Sequence, residues 1–277
     1  MKRSVVPTIK SPLRYPGGKS RALQQIIPLI PDFQEFREPF VGGGSVFLSM
    51  KQRYPAHQYW INDLYSDLYT FWKMAQTNLS AVVAQVIFWK NTYPDGRALH
   101  RFLMENMPQF DDVARASAFF VFNRITFSGT TQAGGFSQQA FQKRFTNTSI
   151  ERLAQLQGVM QDVQITNLDY QQVVEQPGEE VFIFLDPPYF SATQSALYGK
   201  NGHLHKVFDH ERFAEVMQHC QHPWLITYDN DDYIRDLFSF AYIKEWNLMY
   251  GMRNQRKNSN QLGKELFIAN YPMFIAG

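Results

Sequence analysis

Residues 181–189 of the 277-residue chain read Val181-Phe182-Ile183-Phe184-Leu185-Asp186-Pro187-Pro188-Tyr189. The first five residues are apolar, and a short apolar run of this kind is typical of a strand buried on both faces of a parallel sheet. The strand ends at an aspartate, two prolines and a tyrosine. Open α/β folds bind their ligands at this carboxyl edge of the sheet. The stretch therefore predicts a buried parallel strand with a polar, aromatic turn at its end.

This turn is rich in hydrogen-bond acceptors and poor in donors. Pro187 and Pro188 have no backbone N–H group and a fixed φ angle, so the turn offers carbonyl and carboxylate oxygens. Such a turn suits an amino group that gives up hydrogen bonds while its nitrogen attacks an electrophile. Tyr189 supplies a flat face on which a heterocycle can stack. A strand that simply ends in a Pro-Pro turn is the alternative, and it accounts for Asp186-Pro187 better than for all four residues together.

The four residues resemble the Asp-Pro-Pro-Tyr motif of enzymes that methylate the exocyclic nitrogens of bases. Other segments resemble motifs of the Dam-type (D12 class) site-specific DNA adenine-N6 methyltransferases, in the order in which that family has them. These segments are the opening motif Lys10–Ser20, the glycine loop Glu38–Phe47, the acidic strand end Ile61–Leu64, the turn Asn167–Tyr170 and the closing strand Lys264–Tyr271. Because the ordered set spans nearly the whole chain, the chain is identified as a member of this family.

The resemblance implies an α/β fold, a Rossmann-like S-adenosylmethionine-dependent methyltransferase sheet with a mainly helical insertion domain. Short strands are predicted before Glu38 and over Tyr59–Ile61, Gln164–Thr166, Val181–Leu185, Trp224–Tyr228, Tyr242–Trp246 and Leu266–Ala269, the last two as a pair. Helical spacing dominates from about Leu64 to Gly158. We expect a discontinuous catalytic domain at residues 1–64 and 159–277 and a target-recognition insertion at 65–158. Asp209 is expected to cap one helix, and Thr148 with Glu151 to cap another.

The cofactor implied by the resemblance is S-adenosylmethionine. Asp63 follows the glycines by about twenty residues at a predicted strand end, where an acid can accept hydrogen bonds from two ribose hydroxyls. A helix cap is the alternative role for Asp63. Lys19 is expected to pair with the cofactor carboxylate, and an aromatic ring to shelter the sulfonium. The implied cofactor-binding residues are Tyr15, Lys19, Glu38, Phe40, Gly42, Gly43, Gly44, Asp63, Asp169 and Asp186.

Two other cofactor classes are disfavoured by spacing. A phosphate loop needs a glycine where the chain has Leu13, although Gly18-Lys19-Ser20 resembles the end of such a loop. The run Gly42–Gly44 also misses the spacing of the dinucleotide-binding fingerprint. Neither an ATP-type phosphate loop nor a nicotinamide site is therefore expected.

The catalytic residues implied by the resemblance are Asp186, Pro187, Pro188 and Tyr189. Asp186 and the carbonyl of Pro187 are expected to accept the two N–H bonds of the target amine, whose lone pair then points at the sulfonium methyl group. A stacked base cannot reach such a turn, so the base is expected to be extruded from the duplex. Adenine N6 is preferred to cytosine N4, because the resemblance is closest to adenine enzymes and the cytosine motif usually starts with serine.

Basic residues are clustered although the net charge is only +2, and local patches of this kind can follow a phosphate backbone. The expected DNA-binding residues are Arg124, Ser128, Gln132, Arg144, Arg256 and Lys257. Arg124 is expected at a phosphate or a guanine edge, and Gln132 or Gln138 can read adenine. A polar surface loop explains each of them as well. After Asn123-Arg124 the segment departs from the Dam-type pattern, so specificity for GATC is not carried over.

The rest of the sequence indicates a cytoplasmic protein. Cys220 is the only cysteine, which excludes an intramolecular disulfide and a cysteine-based zinc site, and the seven histidines show no metal-ligand spacing. No apolar stretch approaches membrane-spanning length. The expected partner is double-stranded DNA, with no membrane and no metal; a cognate restriction endonuclease is compatible with this, and no oligomeric state is implied. Alternatives are a catalytically silent DNA-binding homologue or a methyltransferase acting on cytosine N4, RNA or protein.

Overall fold

The computed structural model of the chain describes residues 9–15, 17–129, 131, 134–191, 208–248 and 263–273. Its strands are β1 (Glu35–Glu38), β2 (Gln58–Asn62), β3 (Val163–Thr166), β4 (Val181–Leu185), β5 (Trp224–Asp229), β6 (Tyr242–Leu248) and β7 (Gly263–Ala269). The α-helices in this part of the chain are α1 (Leu23–Ile26), α2 (Ser45–Arg53), α3 (Ser66–Thr77), α4 (Leu79–Thr92), α5 (Gly96–Asn106), α6 (Asp112–Ile125), α7 (Gln138–Arg144), α8 (Asn147–Ala154), α9 (Tyr170–Val174), α10 (His210–His219) and α11 (Asp232–Leu237).

All seven strands form one sheet in the order β3-β2-β1-β4-β5-β7-β6. Neighbours from β3 to β5 pair in parallel, and β7 is antiparallel to both β5 and β6. The chain leaves β1 towards β2 on one side and enters β4 on the other, so a crevice forms at the carboxyl ends of β1 and β4. The predicted buried strand, β4, lies at the centre of the sheet with all five residues buried. This prediction, the late strand pair and the α/β fold class are confirmed.

Helices α3 to α8 occupy the chain between β2 and β3 within the described residues. Helix α6 is at their centre, and its residues 116–125 are all buried. Its Phe119 packs on Phe71 of α3 with ring centroids 5.7 Å apart. Trp72 of α3 donates its indole N–H to the carbonyl of Gly42 at 3.1 Å, so the same helix packs on the glycine loop. These helices therefore share a hydrophobic core with the sheet. The domain boundaries at residues 64/65 and 158/159 stay a prediction.

Two helix starts test the predicted caps. Asp209 accepts a hydrogen bond from the backbone N–H of Arg212 at the start of α10, which confirms that cap. The cap predicted for α8 at Thr148 is wrong, because Thr146 and Ser149 form the capping box instead. The earlier start places the buried residues Phe145 and Ile150 on either side of the cap, the arrangement of a hydrophobic staple.

Candidate active site

The glycine loop follows β1 and has positive φ angles at Gly42 (47°) and Gly44 (64°). A Cβ atom at Gly42 would lie 2.8 Å from the Tyr15 ring, and one at Gly43 would lie 2.9 Å from the Tyr15 Cβ. Glycine is therefore needed at both positions, because the loop backbone and the Tyr15 side chain approach too closely to admit another side chain. The contact brings the opening motif against the glycine loop, and cofactor binding by Tyr15, Gly42, Gly43 and Gly44 stays a prediction.

Asp63 holds this loop from the end of β2. Its Oδ2 accepts the N–H of Gly42 at 3.0 Å, and its Oδ1 accepts the N–H of Tyr65 at 3.0 Å. Burial raises the pKa of Asp63 to about 6, against the effect of these two hydrogen bonds. Each carboxylate oxygen has a second lone pair. Asp63 can therefore hold the loop and still accept hydrogen bonds from two hydroxyl groups.

Glu38 is a buried acid between the end of β1 and the start of α2. Its Oε2 accepts the N–H of Phe47 at 2.8 Å, at a helix terminus that favours negative charge. Burial raises the pKa of Glu38 well above its ordinary value; the Phe47 hydrogen bond opposes this rise, and the nearby charges of Asp186 and Asp63 add to it. Three acids thus converge on the crevice, an arrangement that attracts a cationic ligand.

Asp186 follows β4 and is held by side chains. Lys19 Nζ lies 2.7 Å from Asp186 Oδ1 and also donates to the carbonyl of Gly17 at 2.8 Å. The hydroxyl of Thr227 on β5 donates to the same Oδ1 at 2.9 Å. Both contacts that the described residues make with this carboxylate involve Oδ1, which leaves Oδ2 to accept from a substrate amine. Lys19 is only 4% exposed, and its predicted role at the cofactor carboxylate stays a prediction.

Tyr189 lies on the same side of the crevice as Lys19. Lys19 Nζ is 4.9 Å from the centroid of the Tyr189 ring, and the Tyr189 hydroxyl donates to Glu265 Oε2 on β7 at 2.9 Å. Between Asp186 and Tyr189 the turn contains Pro187, which is buried, and Pro188, which is half-buried. The predicted catalytic residues therefore adjoin the opening motif, and through Tyr15 the glycine loop.

A cleft opens at the carboxyl ends of β1, β2 and β3. Its lining residues are Pro39, Phe40, Asn62, Leu64, Leu168, Asp169, Tyr170, Phe208, Asp209 and Arg212. The rings of Phe40 and Tyr170 pack with centroids 5.4 Å apart. Asp169 caps α9 and forms a two-pronged ion pair with Arg212, with N–O distances of 3.0 and 3.2 Å. The cleft thus offers apolar faces and polar groups to a planar ligand, and it contains the predicted residues Phe40 and Asp169.

Asn62 organises this edge of the sheet and was not predicted as a site residue. Its amide donates to the carbonyls of Pro39 and Leu168, both at 3.0 Å. Its Oδ1 accepts from the Thr166 hydroxyl and the Leu168 N–H, both at 2.8 Å. One side chain therefore ties together the loops that follow β1, β2 and β3.

Arg124, on α6, is 4% exposed. Burial, together with the charges of Arg14, Arg152 and Arg144, lowers the pKa of Arg124 to about 9. Its Nε and Nη2 have no hydrogen-bond partner among the described residues, and its guanidinium lies 5.3 Å from the Phe120 ring centroid. The four arginines form a cluster that lacks a compensating anion in the described part of the chain. We call it the arginine cluster.

The other predicted DNA-binding residues are less informative. Ser128 lies in a 3₁₀ turn, Phe127–Gly129. Gln132, Arg256 and Lys257 lie outside the described residues. Their predicted roles stay predictions.

Sequence reasoning also missed the role of Asn123, which it noted only as the start of the recognition segment. The Asn123 amide accepts the N–H of Arg14 at 2.8 Å and donates to the carbonyl of Arg14 at 2.8 Å. It also donates to the carbonyl of Gly129 at 3.2 Å. Asn123 thus joins α6 to the opening motif. Thr227 and Glu265 were missed as well, and a polar residue within an otherwise apolar strand is the one signal that pointed to them.

Two further classes of site have no support in the described residues. They contain no group of three or more His, Cys, Asp or Glu side chains that could hold a metal ion. Among the helices of those residues, none is long and apolar enough to cross a membrane.

The strand order, with an antiparallel strand inserted near one edge, and the acidic crevice at the switch point define a Rossmann-like methyltransferase. The model of the D12 class N6 adenine-specific DNA methyltransferases matches residues 15–252, and the chain belongs to this family. The family implies methylation that depends on S-adenosylmethionine, with DNA as the substrate. The predictions of this family and of an adenine-specific DNA methyltransferase are confirmed.

The names of three relatives agree with the family. A DNA N-6-adenine-methyltransferase of Escherichia phage P1 is 28% identical over 238 residues, which are 83% of this chain and 31% of the phage protein. The chain thus spans about a third of that protein's length. A type II methyltransferase of Methanocaldococcus jannaschii is 25% identical over 65% of this chain and 69% of its own length. A DNA adenine methylase of Vibrio cholerae is 26% identical over 69% of this chain and 70% of its own length.

Proposed function

We propose that this chain transfers a methyl group from S-adenosylmethionine to N6 of an adenine extruded from a specific double-stranded DNA sequence. The observation that carries the proposal is the ion pair between Lys19 and Asp186. It joins the opening motif, which packs on the glycine loop, to the turn that follows β4. A methyl donor beside the loop and a base at the turn are then neighbours. The family and the names of its relatives support adenine as the base.

The residues around the crevice fit S-adenosylmethionine. When bound, this cofactor supplies a methyl carbon on a positively charged sulfur; the carbon bonds to the amine nitrogen while the carbon–sulfur bond breaks and its electron pair stays on sulfur. The acids Glu38, Asp63 and Asp186 favour such a positive charge. Asp63 accepts from the ribose hydroxyls, and Gly42 to Gly44 admit the close approach of a ligand to the backbone.

The nucleoside ring of the cofactor is proposed to occupy the cleft. Phe40 supplies an apolar face there, and Asp169 supplies acceptors for an exocyclic amine, as a pocket with a few convergent polar groups does for small ligands. Tyr15 adjoins the glycines and would supply an aromatic face to the sulfonium of a bound cofactor.

The target amine is proposed to bind at the turn after β4. Its lone pair is delocalised into the ring, so the nitrogen is a weak nucleophile. Asp186 Oδ2 and the Pro187 carbonyl accept its two N–H bonds, which draws the nitrogen towards tetrahedral geometry. After transfer, one N–H proton passes to Asp186 and from there to water. Holding the two reactants within about 3–3.5 Å removes on the order of 7–11 kcal/mol from the barrier.

The arginine cluster is proposed as the site where the DNA backbone binds. The exposed Arg144 contacts a phosphate, and the buried Arg124 adds positive charge behind it. Neutralised phosphates release counterions, so binding depends on salt. Replacing Arg144 by glutamine should reduce the slope of log affinity against log salt by about one. An unchanged slope would show that no phosphate binds Arg144.

The test of the proposed function is methylation of DNA by the purified chain. Plasmid DNA is incubated with isotopically labelled S-adenosylmethionine, digested to nucleosides and examined by mass spectrometry. We expect label in N6-methyladenine, and on the order of 10³-fold slower labelling after Asp186→Asn substitution. Label in N4-methylcytosine, or incorporation only into RNA or protein under matched conditions, would contradict the proposal. A chain that binds labelled cofactor but methylates nothing would be a silent homologue.

A cytoplasmic location and a cognate restriction endonuclease stay proposals. The type II name of the Methanocaldococcus relative supports a modification methylase that works beside such a nuclease. Sequencing methylated plasmid DNA from a cell that expresses the chain identifies the recognised site, which either matches a restriction site or does not.

A further inference from the structure

The turn after β4 is held from one side by β5 and β7. The side-chain carboxylate of Asp229 on β5 accepts the backbone N–H of Phe190 at 3.1 Å and the backbone N–H of Ser191 at 2.8 Å. At side-chain level, Thr227 donates to Asp186 and Glu265 accepts from Tyr189. The backbone contacts fix the path of the turn. The side-chain contacts fix the two groups proposed to touch the base.

Glu265 is the unexpected member of this set. It is 2% exposed and begins the apolar run Leu266–Ala269, which is buried throughout. Because β7 is antiparallel to β5, its first residues lie at the edge where β4 and β5 end, and Glu265 faces Asp229 in the ladder. Burying a carboxylate beside a second acid is costly, and an apolar residue fills such a position at lower cost. An acid here therefore points to a role in the site rather than in stability.

We propose that Glu265 is a positioning residue, which holds the ring of Tyr189 through its hydroxyl so that the ring receives the extruded base. The inference rests on the proposed function. A tyrosine ring turns about its side-chain bonds unless its distal end is anchored. The Glu265 carboxylate anchors that end at 2.9 Å, while the Lys19 ammonium lies over the ring face and Tyr228 packs 5.9 Å away.

The test is a double-mutant cycle between Tyr189→Phe, which keeps the ring and removes the hydroxyl, and Glu265→Leu, which removes the acceptor. The readout is the single-turnover rate of plasmid methylation at saturating cofactor. We expect each substitution to lower this rate by about tenfold, because small displacements of a reacting group are costly. The double variant should be no slower than either single variant, since both break one contact. Glu265→Gln keeps an acceptor oxygen and should restore most of the rate.

Two measurements separate positioning from a general loss of structure. Glu265→Leu should bind the cofactor with at least the wild-type affinity. Its melting temperature should be at least that of the wild type. Tyr271→Phe is the matched control, because the Tyr271 hydroxyl also donates one hydrogen bond, to the Leu29 carbonyl at 2.9 Å, at the opposite edge of the sheet. It should leave the methylation rate unchanged.

Multiplied effects in the double variant, about a hundredfold in total, would overturn the inference, because the two residues would then act independently. So would a wild-type rate in Tyr189→Phe, which decides the matter even if Glu265→Leu fails to fold. A wild-type chain that methylates no DNA would defeat the proposed function instead, before any variant is compared.

Discussion

The two halves of the crevice hold their acids by different means. In the cofactor half, at the ends of β1 and β2, backbone groups hold the acids: Glu38 accepts from Phe47, and Asp63 from Gly42 and Tyr65. In the proposed base half, at the ends of β4 and β5 and the start of β7, side chains hold Asp186 and Tyr189. Asp186 contacts Lys19 and Thr227, and Tyr189 contacts Glu265.

This difference teaches where single substitutions should act. Backbone N–H groups are present whatever the residue, so the cofactor half depends on the acids and on the glycines that let the backbone approach. The base half depends on the identity of residues far apart in the chain. Substitutions of supporting side chains there should change the rate of transfer and leave cofactor binding intact.

The largest effect is expected at Asp186. Asp186→Asn keeps an oxygen for Lys19 and removes the charge that draws on the target amine. Methyl transfer should fall on the order of 10³-fold, within the range for a positioned acid or base. Cofactor affinity, measured by calorimetry, should fall much less than the rate, because Glu38 and Asp63 remain beside the cofactor. The matched control is Asp95→Asn, at the helix cap of α5, where asparagine caps as well as aspartate. Near-normal turnover by Asp186→Asn would defeat the mechanism.

Substitution of Lys19 tests whether this residue supports the rate of transfer or the binding of the cofactor. Lys19→Gln removes the ion pair to Asp186, and we expect about a hundredfold loss of rate with an unchanged cofactor dissociation constant. The alternative assignment places Lys19 at the cofactor carboxylate. In that case the dissociation constant should rise and the rate at saturating cofactor should hold. Measuring both quantities on one preparation separates the two roles.

A stability change should follow substitution in the glycine loop. Gly42→Ala puts a Cβ 2.8 Å from the Tyr15 ring at a φ of 47°. The strained backbone and the contact together should cost about 2 kcal/mol of unfolding free energy. Urea denaturation gives this quantity. Gly135→Ala serves as the control, because its Cβ meets nothing within 4 Å. Equal stability of the two variants would show that the Tyr15 side chain moves away from the added Cβ atom at no cost in stability.

The smallest effect is expected from pH in the cofactor half. Burial raises the pKa of Asp63 to about 6, so its carboxyl is ionised above that pH and protonated below it. Only the ionised form accepts both ribose hydroxyls at full strength. Cofactor affinity should therefore fall as pH falls through 6, by about tenfold at pH 5, and level off above pH 7. Asp63→Asn should bind weakly at every pH, and a sloping profile in that variant would assign the titration to another group.

Strands and helix caps that depend on residues adjacent in the sequence were predictable. The apolar run of β4 and the acid after it were read from nine consecutive residues, and the Asp209 cap from the start of α10. The start of α8 shows the limit of this reasoning. Thr148 and Thr146 both carry suitable spacing, and the choice fell to Thr146 because Phe145 and Ile150 are buried beside it. A cap is a local pattern, but which of two patterns is used depends on the core.

By itself, the sequence determined the family, the strands of the sheet and the acids at the strand ends, because each of these follows from a short run of residues or an ordered set of motifs. Only the tertiary structure decided which side chains these groups meet. Asn123 reaches Arg14 across 109 positions, and Tyr189 reaches Glu265 across 76. Lys19 meets Asp186 across most of the chain as well. The Tyr189–Glu265 pair arises because the strand order places the ends of β4 and β5 and the start of β7 at one edge of the sheet. No short run of residues specifies that strand order.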